Sequence, residues 1–542
     1  MTLASSHSSR VVSMASGTLV SRVTGFVRVL VLAWVLGFTP IADAFNLSNT
    51  VPNMLFDLVL GGIATATFIP VFVERLALDG ERRAWKSISS VVTGALIVLA
   101  GASVLAWFLA PYIIDGFTFL QRTSTAHQSA AYVAHQHLIA TQQRAVATDL
   151  LRFFVPQIFF YGVIGVATAL LNIRRRFGVA TWVPVANNAV CIAVLIWFHL
   201  VDPHPVLADL AGSRDLLWLG LGTTAGVAIQ FLCLVPSLVR SDLWRLSFRL
   251  DLKDQAVRAI GRLGSWTLMV VVTNQLSLYV VLAFAFGIGG SGPVSDYTYG
   301  WSFMQMPYAV VVVSVLGALT PQLAGFATDE DYVGLTERLR FALRQSLVII
   351  IPCSLVLIVL AQPLVGILVE RLHASHTWPV GTVLAVLTAG LPGFTIFQLC
   401  VRGLQSMQRA RQVFFLYVLD NGLTIALCVV LGRHSVVGLM AAISIGYSAT
   451  AIASLMVLAH YRVNIITGVW SVHVRRSLLA ALVASALVAV AYDVPTWTSG
   501  LGLLTRFAGA VAVGAIAYTL VVVALRRRVR RAYVKSARLE KF

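Results

Sequence analysis

The sequence predicts an all-α polytopic membrane protein of about fourteen transmembrane helices. Two observations carry that reading. The 542 residues are 58% hydrophobic and only 11% charged, with a mean hydropathy of +0.85, far less charge than a soluble chain needs to cover its surface. Apolar runs of about 18 residues or more recur from one end to the other, each long enough to cross a bilayer. No stretch between them is long enough to bury a core of its own.

Taken in order, the predicted spans of the first half are 11–37, 42–73, 91–114, 150–171, 180–200 and 216–239. The second half follows with 263–288, 299–326, 343–369, 380–404, 413–431 and 437–459, and two last spans lie at 478–491 and 503–523. The first run is longer than a signal h-region, holds arginines and lacks a clear small-residue cleavage site, so it is expected to stay as a helix. Between the third and fourth spans, the stretch around His127, His135 and His137 reads as a surface helix with solvated histidines, since no acidic residue accompanies them to complete a metal site.

Lys and Arg fall in alternate loops: "ERRAWK" at 81–86, "RRRF" at 174–177, Arg240, Arg245, Arg249 and Lys253, "RLRFALR" at 338–344, then Arg409 and Arg411. The intervening loops are nearly free of them, which places both termini on the cytoplasmic side. The formal net charge of +18 is thus distributed as membrane topology requires, and nucleic acid is not expected as a partner. The tail "RRRVRR" at 526–531 fits the same rule, with attraction to the membrane surface added. Five cysteines (Cys191, Cys233, Cys353, Cys400, Cys428) all lie in apolar runs. Their odd number and spacing match neither a disulfide framework nor a metal site, and they read as small packing residues.

A faint internal repeat suggests two halves. The second span opens "ADAFNLSNTVPN" and the eighth "SDYTYGWSFMQMP", each with an Asp (Asp43, Asp296) followed by a proline (Pro52, Pro307) and, further on, a second proline (Pro70, Pro321). This divides the chain into 1–240 and 241–462, with two additional helices over 463–526 and a basic cytoplasmic tail at 527–542.

The charges inside the spans are the strongest functional signal. Arg22 lies about 11 residues into the first run, roughly 16 Å from its start, and Arg28 follows six residues later, about 120° around an ideal helix. An arginine at mid-membrane costs about 2.5 to 3.5 kcal/mol on the insertion scale, so it is expected to face protein or a watery cavity. On the next span, Asp43, Asn46, Ser48, Asn49, Thr50, Asn53 and Asp57 form an unusually polar segment. A buried Arg/Asp pair that only fixes packing is the structural alternative to cavity lining. A guanidinium that is always charged binds phosphate well and often bidentately, so an anionic headgroup such as a pyrophosphate suits this region. Asn53, Asn188, Gln230 and Gln275 are further in-span polar residues that would touch sugar or peptide, or else bond helix to helix.

These residues resemble a known family. "SRVTGFVRVLVLAWVLG", "DAFNLSNTVPNMLF" and "FIPVF" look like the first two helices of the MurJ (MviN) lipid II flippases, of the multidrug/oligosaccharidyl-lipid/polysaccharide exporter superfamily. "LLNIRRRFGVATWVPVANN" and "GTTAGVAIQ" add to the likeness. The resemblance implies two six-helix bundles around a central cavity, with the last two helices framing a lipid-facing groove. It implies movement of undecaprenyl-pyrophosphate-linked disaccharide-pentapeptide (lipid II) from the inner to the outer leaflet of the bacterial inner membrane by alternating access, for cell-wall synthesis. It gives Arg22 and Arg28 the pyrophosphate and Asp43 the role of the acidic residue opening the second helix. Membrane lipids and cell-wall synthesis or division proteins are the partners it implies. Two cations of the family pattern are replaced: Phe56, followed by Asp57, stands where an arginine often follows "PN", and "GWS" (Gly300 to Ser302) stands where "ADR" is expected. Anion binding would then rest more on Arg22 and Arg28.

No G-x-x-x-x-G-K-[ST] is present, so the chain has no nucleotide-binding loop and no cofactor is expected. An ion gradient, the membrane potential or downstream consumption of substrate would supply the energy, with Asp43, Asp57 and Asp420 as candidate ion-coupling carboxyls. A transporter, not an enzyme, is therefore expected, since no carboxylate or metal cluster suited to a membrane glycosyltransferase is seen. The competing functions are a flippase for another polyprenyl-linked saccharide and a cation-coupled drug antiporter of the same fold. The first-helix arginines argue against the antiporter.

Overall fold

In the computed structural model of the chain, the described residues are 2–61, 80–121, 130–173, 177–241, 247–251, 255–288, 292–369, 377–433, 435–493 and 503–539. The far end of the second predicted span with Pro70, His127, the triplet 174–176, Arg245 and Lys253 lie outside them. The described residues hold helices and connections only. Twelve helices among them are long and apolar enough to cross a membrane, and a thirteenth span results if Val380–Ala389 and Leu391–Ser406, bent by 42° at Gly390, count as one. The remaining predicted span, 42–73, enters the described residues as a helix and a π-helical turn. The all-α polytopic architecture expected from the apolar runs is the one observed.

The chain forms two compact units, Met1–Tyr299 and Gly300–Phe542. In the first, α1 (Thr2–Leu36) stops where Gly37 takes a φ of 64°, a left-handed value that suits glycine. Two devices then start α2 (Pro40–Phe56): the Thr39 hydroxyl accepts from Ala42 N–H at 3.2 Å, and Pro40 sits in the first turn. α2 carries Pro52 and passes into a π-helical turn, Asp57–Gly61. The unit continues with α3 (Gly80–Thr118), α4 (Ala130–Phe154), α5 (Pro156–Ile173), α6 (Phe177–Val201), α7 (Arg214–Val239) and α8 (Gln255–Ile288).

Periodicity explains α4, the segment expected as a surface helix. Ala140, Gln143, Ala147, Leu150, Leu151 and Phe154 are buried, a stripe at helical spacing that faces α2, α3 and α7. Pro156 ends it and starts α5, so the two run as one span, Val133–Asn172. His135 and His137 lie exposed on it. α1 packs along α6, α6 along α7, and α8 along α3 and the π-helical turn of α2.

α9 (Pro293–Pro307) holds the unit boundary after its second turn and, like α2, leads from a proline into a π-helical turn, Tyr308–Val312. The second unit continues with α10 (Val313–Thr328), α11 (Tyr332–Val359), α12 (Ala361–Val369), α13 (Thr377–Ala389) and α14 (Leu391–Ser406). It ends with α15 (Ala410–Leu431), α16 (Val436–His460), α17 (Val472–Asp493) and α18 (Leu503–Leu539). α11 is central, packing on α10, α13, α14 and α17, while α16 packs on α13, α14 and α15. The pair α17–α18 is fixed to α11 by polar contacts: Ser477 Oγ and Tyr518 OH both donate to Val348 O, at 2.8 and 2.9 Å. Leu360, Val488 and Ala510 form a dry core beside it.

Candidate functional site

The polar α2 segment meets the start of α9. Asp43, only 1% exposed, accepts from Ser295 N–H at 2.8 Å and Ser295 Oγ at 2.7 Å, while the N–H groups of Val294 and Gly292 also point at it. The first N–H groups of a helix have no partner within it, and here a carboxyl from another helix supplies one. Asn46 Nδ2 donates to Ser295 Oγ at 3.0 Å. Tyr299 donates to Gly37 O at 3.4 Å and sets its ring edge-on to Phe38, with centroids 5.3 Å apart. Gly292, at φ 91°, lets this happen, because a Cβ there would stand 2.8 Å from Phe38 O. Asp296 is buried beside Asp43.

The two arginines of α1 differ in setting. Arg22 is exposed and Arg28 half-buried, and among the described residues no carboxyl lies within ion-pair distance of either. Arg28 is a hydrogen-bond partner of the Cys191 thiol on α6 and lies within electrostatic range of Tyr161 on α5. Tyr161 OH donates to Gln157 Oε1 at 3.1 Å, Gln157 Nε2 to Thr224 Oγ1 at 3.0 Å, and Thr224 Oγ1 to Phe153 O at 2.7 Å. Asn53 reaches the same tyrosine and donates to Asn49 O at 2.8 Å. Arg28, Asn53, Tyr161 and Gln157 are thereby brought together from three helices.

Phe56 packs on Tyr161 with ring centroids 5.9 Å apart. Asn188 is buried and donates to Ser21 O at 3.3 Å and Thr24 Oγ1 at 3.0 Å, fastening α6 to α1. Gln275 on α8 donates to Asp57 Oδ2 at 3.1 Å. Gln230 is half-buried on α7. In the second unit, Asp420 is buried at the middle of α15, with Thr424 and Thr450 around it and Gly446 of α16 packed close.

Cys191, Cys400 and Cys428 are buried, Cys353 is half-buried and Cys233 exposed. Ser295, Tyr161, Gln157 and Cys191 were not singled out from sequence as site residues. Ser295 follows a glycine-rich stretch of sequence and carries no motif. Tyr161 and Gln157 lie in an ordinary apolar run, where only their i,i+4 spacing marks them as a pair.

A sequence model of the family described as "Lipid II flippase MurJ" matches residues 32–507. The probable lipid II flippase MurJ of Rhizobium meliloti (strain 1021) is 26% identical over 409 residues, covering 74% of this chain and 70% of the relative. The lipid II flippase MurJ of Burkholderia cenocepacia is 27% identical over 400 residues, covering 72% of each. Among solved structures, a lipid II flippase MurJ in an inward closed conformation superposes with a TM-score of 0.71 at 18% identity, over 95% of this chain and 99% of that one. An inward-facing multidrug resistance MATE family transporter of the MOP superfamily gives a TM-score of 0.63 at 12% identity, over 83% and 96%.

Proposed function

The chain belongs to the lipid II flippase MurJ family, and on that premise we propose that it carries lipid II from the cytoplasmic to the outer leaflet by alternating access, supplying cell-wall synthesis. It is a multi-pass protein of the bacterial inner membrane and a transporter. The single observation that best supports the reading is the pair Arg22 and Arg28, set within a span and without a carboxyl partner among the described residues. A guanidinium left unpaired at that depth is tolerable where it faces a watery cavity and is satisfied when an anion arrives.

In this reading Arg28 holds the pyrophosphate, with Asn53 beside it and Arg22 nearer the cytoplasmic mouth. Gln230 and Gln275 contact the sugar or peptide, and Asn188 acts by fixing α1 against α6. Asp43 closes the outer end of α2 onto α9. The functional bundles are 1–240 and 241–462, the helices over 463–526 take the lipid tail, and both termini, with the basic tail 527–542, are cytoplasmic. The compact first unit extends beyond 240 because α8 packs along α3 and the π-helical turn of α2, and the start of α9 is held by the Asp43–Ser295 contact. Asp420 and Asp57 are the ion-coupling candidates. The chain does no covalent chemistry of its own, and cell-wall synthesis or division proteins receive its product.

The test is reconstitution of the full chain in liposomes with labelled lipid II, followed by scoring its appearance in the opposite leaflet. Flipping by the parent and its loss in a folded Arg28→Ala variant is the expected outcome. A folded parent that moves no lipid II overturns the reading.

A further inference from the structure

A cluster of aromatic rings in the second unit is not used by the proposed anion site. Three helices build it. α14 and α16 approach closely at Gly393, where a Cβ would stand 2.9 Å from the Ser448 Cα, and this brings Phe394 and Tyr447 together with centroids 4.7 Å apart. On α9, Gly300 packs against Val383 of α13, where a Cβ would meet its Cγ1 at 3.3 Å. The next residue, Trp301, thereby stands 6.3 Å from both Phe394 and Tyr447. Tyr308, opening the π-helical turn of α9, lies 4.8 Å from Phe394. Single π-helical turns of this kind recur at functional sites.

The cluster has a polar edge. Gln398, one turn along α14 from Phe394, donates to Tyr417 OH at 3.3 Å. Arg402, a further turn along and exposed, lies in electrostatic range of Tyr308 and Tyr417. Trp301, Tyr308, Tyr447 and Gln398 are all half-buried, so part of each side chain is open to a ligand. An amide, phenol groups and a guanidinium are costly against hydrocarbon, which makes this face of the unit one that borders water or substrate.

We infer that Trp301 and Tyr447, backed by the buried Phe394, form a stacking wall for a pyranose ring of the transported lipid, with Gln398 and Tyr417 bonding its hydroxyl or N-acetyl groups. The inference rests on the flippase reading above. The aromatic face is negative and the C–H face of a sugar is apolar and weakly positive, so the two stack. A few placed polar groups then fix the ring's orientation, as in small-molecule sites generally. Arg402 beside two of the phenols disfavours a cationic guest.

The test measures binding of three lipids to the purified full-length protein by native mass spectrometry: undecaprenyl pyrophosphate, lipid II, and lipid II lacking its peptide. Trp301→Ala and Tyr447→Ala are expected to weaken both sugar-bearing lipids about three- to tenfold and to leave undecaprenyl pyrophosphate unchanged, while Trp301→Phe retains most of the affinity. Thermal melting identifies variants that fail to fold, and the phenylalanine variant keeps the test open if the alanines do. Equal losses for all three lipids, or no loss for any, overturn the wall while leaving the flippase reading intact. A parent that binds none of the three but takes up tetraphenylphosphonium overturns both.

Discussion

Asp43 of α2 and Ser295 of α9 lie 252 residues apart in sequence and are joined by two hydrogen bonds through one carboxyl oxygen, at 2.8 Å to the serine N–H and 2.7 Å to its hydroxyl. The contact explains how a carboxyl group is buried to 1% exposure with no cation at ion-pair distance among the described residues. It is satisfied by the free N–H groups at the start of α9, and Asn46 completes the set at Ser295.

Removing that carboxyl leaves a buried N–H and a buried hydroxyl without their acceptor, a loss of about 1–3 kcal/mol for each unsatisfied group. Asp43→Ala is therefore expected to open this end of the first unit, and Ser295→Ala, which keeps the N–H bond, to do so less. The check is labelling of a cysteine placed at Thr298 by a membrane-impermeant maleimide added outside intact cells, above the background of native thiols. The expected order of labelling is Asp43→Ala, then Ser295→Ala, then parent. Equal labelling in all three would show that the contact does not hold this end shut.

Arg28 and Arg22 are expected to separate in their effects. Arg28 is half-buried against Cys191 and Tyr161, whereas Arg22 is exposed. Arg28→Lys keeps the charge and loses the planar fork that matches phosphate, so it should weaken undecaprenyl pyrophosphate binding at least about tenfold, near the 1.4 kcal/mol that a tenfold change represents. Arg22→Lys should change it less. Titration of the detergent-solubilised variants with that lipid reads both.

The difference between what the sequence revealed and what it hid is physical. Fourteen apolar runs, the polar opening of the second, and two arginines inside the first are local features, and pattern alone exposes them. Phe56 and the "GWS" segment were legible as departures for the same reason. Pairings across the fold were not. Nothing near Asp43 names Ser295, and nothing near Arg28 names Cys191 or Tyr161. Asn188 is instructive: a polar residue in a span suggests a ligand contact, yet its amide is occupied by Ser21 and Thr24, a choice only the packing of α1 on α6 decides. The 42° bend at Gly390, just before Pro392, and the π-helical turns after Pro52 and Pro307 fall at glycine and proline, so the sequence marks where a helix is broken but not by how much.

That α1–α6 packing gives a stability prediction. Asn188→Ala removes two interhelical bonds, each worth about 0.6 kcal/mol by the average for membrane helices. Gly17→Ala places a Cβ 2.6 Å from the Trp182 indole nitrogen and 2.7 Å from Thr181 Oγ1. Both variants should melt below the parent in detergent, with Gly17→Ala partly relieved by Trp182→Ala. Independent effects of the two substitutions would contradict the packing.

Asp420 should behave oppositely. It is buried at mid-span with one oxygen unpartnered, and no cation lies within ion-pair distance among the described residues. Asp420→Asn removes a costly buried acid, so folding should be preserved or improved while any dependence of flipping on an ion gradient is lost. Melting temperature and flipping with and without imposed sodium and proton gradients check this. A gradient response retained by the variant would remove Asp420 from coupling.

Cells depleted of their own lipid II flippase and supplied with this chain test lipid II as the substrate, with membrane expression verified and lipid II accessibility at the outer leaflet as the readout. The expected result is that the parent restores accessibility and growth, and that an equally expressed Arg28→Ala variant restores neither. A well-expressed parent that leaves lipid II confined to the inner leaflet would contradict lipid II as the substrate, and full rescue by Arg28→Ala would contradict the arginine as its anchor.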